Sequence, residues 1–121
     1  MKSLSEIVEE YIVQQIDHGV NLVQLFEAMG SYISEELYTE VCLPYLCEIV
    51  RNVKRRRPEY PVMVFVRGGS YTMETLSEVG VDVVTLDGSV ELEEVRNRLG
   101  SCVVQGCFDP KTLITSGAGI E

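Results

Sequence analysis

Four cysteines are the residues best suited to metal or redox chemistry, and they form two C-x4-C pairs, Cys42 with Cys47 and Cys102 with Cys107. Metal sites often space their ligands this closely. Cys42 and Cys47 lie in a helical pattern, where five residues turn through about 500° and leave the thiols about 140° apart. Cys102 and Cys107 bound a strand-like run, where an odd offset places them on opposite faces. We therefore predict buried or half-buried free thiols and no metal site.

Histidine and aspartate are the other candidates. His18 is the sole histidine, which excludes a paired-histidine metal site and a local triad, and its place before Gly19 is typical of a helix end. Asp87 and Asp109 end neighbouring predicted strands and would form a carboxylate pair for acid–base work if they met. Asp109-Pro110 is more typical of a turn. A position for Asp87 at the mouth of a pocket remains the open alternative.

The charge balance limits the possible partners. Ten basic residues stand against 19 acidic residues, for a formal net charge of −9, so we predict no nucleic-acid partner. We interpret the basic run Lys54-Arg55-Arg56-Arg57 as structural, because cations are favourable at a helix C-terminus. The longest apolar runs are about six residues, against the roughly 20 that cross a bilayer. The N-terminus lacks the apolar core of a signal peptide. We predict no membrane association and a cytoplasmic location.

Helices and strands alternate along the chain. The predicted strands span 20–26, 62–66, 81–86 and 102–105, and the predicted helices span 4–16, 34–53, 72–79 and 89–99. Apolar residues at three- and four-residue steps make the first helix amphipathic; they are Leu4, Ile7, Val8, Tyr11, Ile12 and Ile16. Ser3 with Glu6 predicts a capping box for it, and Ser89 predicts a cap for the last helix. Pro44 predicts a kink or break just before it.

The apolar character of the strands indicates the fold class. Strands that are apolar on both faces and alternate with helices are typical of a parallel sheet covered by helices. The last two units span only about 20 residues each, which suits a barrel wall, and a complete (β/α)8 barrel takes about 250 residues. We therefore predict an α/β fold, a partial TIM-type barrel with about four parallel strands. We expect residues 1–121 to form one domain, with a frayed tail at 112–121.

Five segments in order then point to a family. They are Val23-Gln24-Leu25-Phe26-Glu27, Leu43-Pro44-Tyr45-Leu46, the stretch from Pro61 to Gly69, Leu86-Asp87 after Gly80-Val81, and the stretch from Gln105 to Pro110. Together they resemble the C-terminal half of uroporphyrinogen decarboxylase, the haem-pathway enzyme that removes acetate carboxyls from a tetrapyrrole. The resemblance runs from His18 to Lys111. It implies the same barrel, a uroporphyrinogen substrate and no cofactor.

The resemblance also implies a substrate-binding edge made by Phe26, Ala28, Arg67 and Gly68. Phe26 matches an aromatic wall against the macrocycle, with ordinary core packing as the alternative. Arg67 matches a cation for a substrate carboxylate, with a solvated loop cation as the alternative, and Gly68 lies in a glycine turn. Ala28 stands where the family has serine or threonine. Ser31 is a candidate replacement for that hydroxyl.

Other departures weaken the site more than the fold. Gly88 stands for a family tryptophan and Cys107 for a family asparagine. The family's arginine-bearing segment, its pocket aspartate and its tyrosine come from the first half of the barrel, and its histidine segment follows residue 121. None has a counterpart here. We assign no catalytic or metal-binding residue and expect a fragment or degenerate form that is inactive alone.

Alternatives to a decarboxylase fragment remain open. One is a non-catalytic relative that acts by binding or assembly, motivated by Ala28. Another is a cobamide-dependent methyltransferase, whose zinc-binding His-x-Cys is replaced here by Arg67-Gly68-Gly69. Half a barrel exposes sheet edges and an apolar interior, so we predict self-association, for instance as a homodimer. A plastid is the alternative location if a transit peptide preceded the chain.

Overall fold

Four short strands form one parallel sheet, in the order in which they occur along the chain. They are β1 (Val23–Glu27), β2 (Val62–Val66), β3 (Val83–Leu86) and β4 (Val103–Gly106). The computed structural model of the protein describes residues 1–106 and 108–115. Neighbouring strands are in parallel register, with Val23 beside Val62 and Val64 beside Val84. The predicted α/β fold is confirmed, and the sequential strand order is that of a barrel wall.

Six α-helices accompany the sheet in the described part of the chain. They are α1 (Lys2–Asp17), α2 (Glu35–Val41), α3 (Leu43–Arg56), α4 (Met73–Glu78), α5 (Leu92–Leu99) and α6 (Thr112–Thr115). Short 3-10 turns at Gly30–Tyr32 and Ser70–Thr72 follow β1 and β2. Among the residues described, no helix combines the length and the apolar character that a membrane span requires. The part of the predicted tail beyond Thr115 lies outside the described residues.

Burial explains why some boundaries follow the prediction closely. The β-branched strand β2 lies inside the sheet, and Val62, Met63 and Val64 are all buried. Its observed bounds are those predicted. The edge strand β4 is mostly exposed. The helices contribute many of the other core residues; their buried apolar side chains are Ile12, Val13, Ile16, Tyr38, Leu43, Cys47, Ile49, Val50, Val53, Met73, Leu76, Val95 and Leu99.

The break before Pro44 is confirmed. Helix α2 ends at Val41, and α3 begins at Leu43 with the proline in its first turn, where its missing N–H costs no hydrogen bond. Ser34 lies at the N-terminus of α2, and its hydroxyl accepts a hydrogen bond from the Leu37 N–H at 3.3 Å. One amphipathic pattern in the sequence is thus two helices in the structure.

Both predicted side-chain caps are wrong. Helix α1 already begins at Lys2, so Ser3 lies inside its first turn and no side chain caps it. Helix α5 begins at Leu92 with Glu91 at its N-cap. Ser89 donates its hydroxyl and its N–H to the Asp87 carboxylate instead. A competing local contact, between residues two positions apart at the end of β3, therefore replaces the predicted cap.

Helix α1 carries two apolar stripes, and only one is covered by the described residues. Ile12, Val13 and Ile16 are buried, whereas the stripe formed by Leu4, Ile7 and Tyr11 is exposed. The amphipathic pattern correctly predicts the helix. It does not distinguish the stripe that packs against α3 from the stripe that faces outward, because both have helical spacing.

The basic run at the end of α3 is structural, as predicted. Arg56 forms ion pairs with Glu9 and Glu10, and Arg57 with Asp17, which tie α3 to α1. The Lys54 ammonium donates to the Asp82 carboxylate at 2.9 Å and to the Tyr60 carbonyl at 3.0 Å. As predicted for a helix end, His18 follows the last residue of α1, and its Nδ1 lies 2.7 Å from the Gln14 carbonyl oxygen.

Asp82 is the centre of the contacts at the start of the sheet, and its removal should lower stability. Its carboxylate accepts from the Val62 N–H at 2.8 Å and from Lys54, while its own N–H donates to the Val62 carbonyl at 2.9 Å. Asp82→Ala should lower the free energy of unfolding by about 1–2 kcal/mol, because the ion pair is partly exposed but the Val62 N–H loses its acceptor. Chemical denaturation measures this. Glu59→Ala, at an exposed position, is the control, and equal effects in the two variants would contradict the assignment.

Candidate functional site

The carboxyl ends of the strands bring the predicted site residues to one edge. Phe26 lies beside Phe65 in the β1–β2 register, and their rings pack edge to face with centroids 6.1 Å apart. Phe26 nevertheless remains 72% exposed. Arg67 directly follows β2, and its N–H donates to the Glu27 carbonyl at 2.9 Å. Phe26 and Arg67 therefore emerge from the same end of the sheet, where barrel enzymes hold their sites.

An open cleft of about 740 Å³ lies at this edge, on the side of β3 and β4. Its lining combines aromatic and charged side chains with short backbone turns. The lining residues are Phe65, Arg67, Leu86, Asp87, Gly88, Ser89, Phe108, Asp109, Pro110 and Lys111. The volume lies within the usual range for small-molecule pockets, roughly 300–1,000 Å³. An apolar wall with a few charged groups can hold a large anionic ring system.

Asp87 connects the loop after β2 with the loop after β3 at the rim of the cleft. Its Oδ2 accepts from the Gly68 N–H at 2.6 Å, and its Oδ1 accepts from the N–H and the hydroxyl of Ser89. Burial raises the pKa of Asp87, but the hydrogen bonds from Ser89 and Gly68, with the charge of Arg67, outweigh it and hold the pKa below its ordinary value. The carboxylate is therefore ionised at neutral pH. The alternative that placed Asp87 at the mouth of a pocket is confirmed.

Gly88 brings the next two loops into direct contact. A Cβ at this position would lie 2.6 Å from both Cα and Cβ of Asp109, so only glycine fits without moving the neighbouring backbone. Asp109 has the turn chemistry predicted for it, with its carboxylate accepting from the Lys111 N–H at 3.0 Å and its carbonyl from the Thr112 N–H. Gly88 and Asp109 thus bring the loop after β3 and residues 108–111 together in the lining of the cleft.

Glu27 and Tyr38 each contribute a buried oxygen atom near the β1 loop. Glu27 accepts from the Met29 N–H at 2.8 Å through Oε1. Its Oε2 and the Tyr38 hydroxyl are buried and have no hydrogen-bond partner among the described residues. Burial, followed by the Glu27 charge, raises the pKa of Tyr38. Sequence reasoning missed Tyr38, because it lies inside the predicted helix 34–53 and no motif singles it out.

Ala28 and Ser31 lie at the same rim. Ala28 is exposed beside Phe26, and Gly68 is exposed in a left-handed conformation (φ +66°). Ser31 packs against Gly68 so closely that a Cβ added to the glycine would lie 3.1 Å from the Ser31 Cβ. The structure therefore places Phe26, Ala28, Arg67 and Gly68 at the same edge of the sheet, and of these Arg67 lines the cleft. Their roles toward a substrate stay predictions.

The three described cysteines, Cys42, Cys47 and Cys102, are not among the residues that line the cleft. Cys42 and Cys102 are half-buried free thiols, Cys47 is a buried one, and burial raises the pKa of Cys47. Cys107 lies outside the described residues, so the predicted opposite orientation of Cys102 and Cys107 is untested. No group of three or more potential metal ligands occurs in the described ranges, 1–106 and 108–115.

Comparison with known proteins gives one consistent result. A family model described as uroporphyrinogen decarboxylase (URO-D) matches residues 1–121. The uroporphyrinogen decarboxylase of a Synechococcus species is 35% identical over 116 residues, which cover 96% of this chain and 32% of that protein. The Microcystis aeruginosa enzyme is 33% identical over 100% of this chain and 35% of its own. Uroporphyrinogen decarboxylase 2, chloroplastic, from Oryza sativa subsp. japonica is 38% identical over 96% and 30%. The chain spans about a third of the length of these relatives.

Proposed function

Because the chain belongs to the uroporphyrinogen decarboxylase family, we propose that it forms one wall of a tetrapyrrole-binding cleft and does not decarboxylate its ligand alone. The main observation that supports this proposal is that Phe26 and Arg67 emerge from the same carboxyl edge of the sheet, beside a cleft of about 740 Å³. The proposed ligand is uroporphyrinogen, the substrate named by the family. It combines a broad ring system with many carboxylates.

The exposed Phe26 ring is the apolar half of this proposal. A phenylalanine that leaves 72% of its surface in solvent loses much of the burial that normally stabilises an aromatic side chain. Contact with the face of a macrocycle would recover that burial. The edge-to-face contact with Phe65 holds the Phe26 ring in place, so little additional ordering is required when a ligand binds.

Arg67 is the charged half of the proposal. It lines the cleft and is exposed, and a guanidinium can bind a carboxylate through two parallel hydrogen bonds. Among the described lining residues the cations are Arg67 and Lys111, and they stand against Asp87 and Asp109. A ligand with many carboxylates would need further cations before the charge of a transition state could be stabilised. The described part of the cleft lining has two cations against two carboxylates, and the chain covers about a third of the length of its relatives. Both observations support one wall of a binding cleft and not a complete active site.

Arg67→Gln should weaken binding of uroporphyrin III, the stable aromatic form of the substrate, about fivefold, as expected for loss of one partly exposed ion pair. Porphyrin fluorescence titration of the 121-residue chain measures the affinity. Arg55→Gln is the matched control, because Arg55 lies at the end of α3, next to the opposite edge of the sheet. Equal affinities of the two variants would contradict a binding role for Arg67, and no binding to the parent chain would contradict the proposed function.

A non-catalytic relative is the second candidate function, and Ala28 is the observation that favours it. To test it, residues 1–121 replace the matching third of the Synechococcus enzyme, and decarboxylation is measured with and without Ala28→Ser. If the chain is a working wall that lacks one hydroxyl, the serine should raise the rate about tenfold, through one added hydrogen bond near the substrate. Ala28→Cys is the control, because a thiol has similar size but bonds weakly. No activity in any chimera would favour the non-catalytic relative.

Self-association remains part of the proposal. The exposed stripe of Leu4, Ile7 and Tyr11 and the edge strands β1 and β4, which have no outer partner strand among the described residues, are surfaces that another chain could cover. Light scattering at tens of micromolar tests this, and a stable monomer would contradict it.

The remaining expectations are smaller in scope. The single domain and a cytoplasmic location are retained as proposals, with a plastid as the alternative because the rice relative is named chloroplastic. Stoichiometric zinc in the purified chain would revive the methyltransferase alternative.

A further inference from the structure

We propose that Asp87 is a positioning residue: its carboxylate fixes the backbone at Gly68 and so sets the direction in which Arg67 is presented to a ligand carboxylate. The inference rests on the proposed function of the cleft. It assigns a role to a residue that would otherwise be a repulsive charge in an anion-binding site.

The hydrogen bonds of Asp87 connect two loops that follow neighbouring strands. Oδ2 accepts from the Gly68 N–H at 2.6 Å, in the loop after β2, whereas Oδ1 accepts twice from Ser89, in the loop after β3. A carboxylate that accepts several N–H and O–H groups has its orientation fixed. The two Ser89 hydrogen bonds therefore hold the carboxylate, and the carboxylate in turn holds Gly68.

Arg67 is fixed from both sides by this arrangement. Its own N–H donates to the Glu27 carbonyl at 2.9 Å, at the end of β1, and the next N–H along the chain donates to Asp87. Gly68 adopts a left-handed conformation (φ +66°), which offers no regular secondary structure to hold it. Gly69 then packs against Val66, because a Cβ there would lie 2.2 Å from the Val66 Cγ1. Without Asp87, the segment that carries Arg67 would be held on the β1 side alone.

Charge and positioning make opposite predictions for the neutral variant Asp87→Asn. As a charge, ionised Asp87 repels a polycarboxylate and partly offsets Arg67, so neutralising it should strengthen binding. As a positioning group, its loss should weaken binding, because an amide oriented by Ser89 presents an NH2 group to the Gly68 N–H. The sign of the change in affinity therefore separates the two roles.

The experiment compares Asp87→Asn with Asp109→Asn in the 121-residue chain, using uroporphyrin III. Asp109→Asn removes the same charge from the same cleft without contacting Gly68. We expect about threefold weaker binding for Asp87→Asn and tighter binding for Asp109→Asn, because the latter removes only a repulsive charge from the lining of the cleft. In an Arg67→Gln background, Asp87→Asn should cause no further loss of affinity, because the positioning role acts through Arg67. Tighter binding by Asp87→Asn, or additive losses, would overturn the proposal.

Backbone NMR separates failure of this inference from failure of the proposed function. If the parent chain binds no uroporphyrin III, the proposed function fails, but the Gly68 amide can still be measured. Asp87→Asn should move this amide resonance upfield and lower the order parameters of Arg67 and Gly68, whereas Asp109→Asn should leave both unchanged. An unchanged Gly68 amide in Asp87→Asn would overturn the positioning role. If Asp87→Asn fails to fold, Ser89→Ala, which removes one orienting bond, should produce the same changes at smaller size.

Discussion

Truncation of Leu76 to alanine should lower the free energy of unfolding by about 3 kcal/mol, the middle of the range for removing a buried leucine side chain. Leu76 is 1% exposed, and with Met73 it is one of the two buried residues of the six-residue helix α4. It faces Val64 and Val84 around a void of only about 10 Å³. The surrounding core is therefore already close-packed, and the deletion would leave a cavity. Chemical denaturation gives the free energy directly.

Leu4→Ala is the matched control for this prediction. Leu4 lies on the exposed stripe of α1, and alanine favours a helix, so its truncation should change stability by less than about 0.5 kcal/mol. If the two truncations cost the same, Leu76 does not lie in the core as described. A larger cost at Leu4 would instead indicate that the exposed stripe is covered by a second copy of the chain.

Gly88→Ala should weaken uroporphyrin III binding by more than about tenfold, because displacing a site by about an ångström can be that costly. The added methyl would lie 2.6 Å from the Cα and Cβ of Asp109, and it can be relieved only by separating the loops after β3 and β4. Gly88 and residues 108–111 line the cleft. Fluorescence titration measures the affinity, and backbone NMR should show shifts from Phe108 to Lys111.

Gly100→Ala is the control that separates the effect of backbone strain from the effect of a change in the shape of the cleft. Gly100 has a positive φ of +57° and nothing within 4 Å of its missing Cβ, so alanine there should lower stability by about 1 kcal/mol through backbone strain. It should leave the affinity for uroporphyrin III unchanged. Unchanged binding in Gly88→Ala would mean that the contact with Asp109 does not shape the cleft.

The elements that could be predicted are those governed by local physics. The β2 strand was predicted to the residue, because a β-branched run inside a parallel sheet is buried on both faces. Pro44 predicted the helix break because its missing N–H acts locally. The β3 boundary was less accurate: residues 81 and 82 precede the observed strand, and Asp82 is committed to Lys54 and Val62. The caps predicted at Ser3 and Ser89 are absent because α1 begins before Ser3 and Ser89 bonds to the Asp87 carboxylate. Packing of α1 against α3 decides which of its two apolar stripes is buried.

The features of the site likewise divide into those that the sequence predicts and those that it does not. Phe26, Ala28, Arg67 and Gly68 could be placed at one edge, because the resemblance supplied the residues and parallel strands align their carboxyl ends. The hydrogen bonds from Gly68 and Ser89 to Asp87 could not be predicted in the same way, because Gly68 and Asp87 lie 19 positions apart. The contact between Gly88 and Asp109 likewise depends on loop geometry, for which no sequence periodicity exists. The same holds for the buried oxygens of Glu27 and Tyr38 that have no hydrogen-bond partner among the described residues.

The sequential order of the strands has a consequence for the route of folding. Paired residues lie 39 positions apart for β1 and β2 (Val23 and Val62) and 20 apart for β2 and β3 (Met63 and Val83). Closing the longer loop costs only about 0.6 kcal/mol more in chain entropy, since each doubling of loop length adds about that much. Each strand can therefore join its predecessor as the ribosome releases it, and early nascent chains should already protect the backbone amides of β1 and β2 from hydrogen exchange.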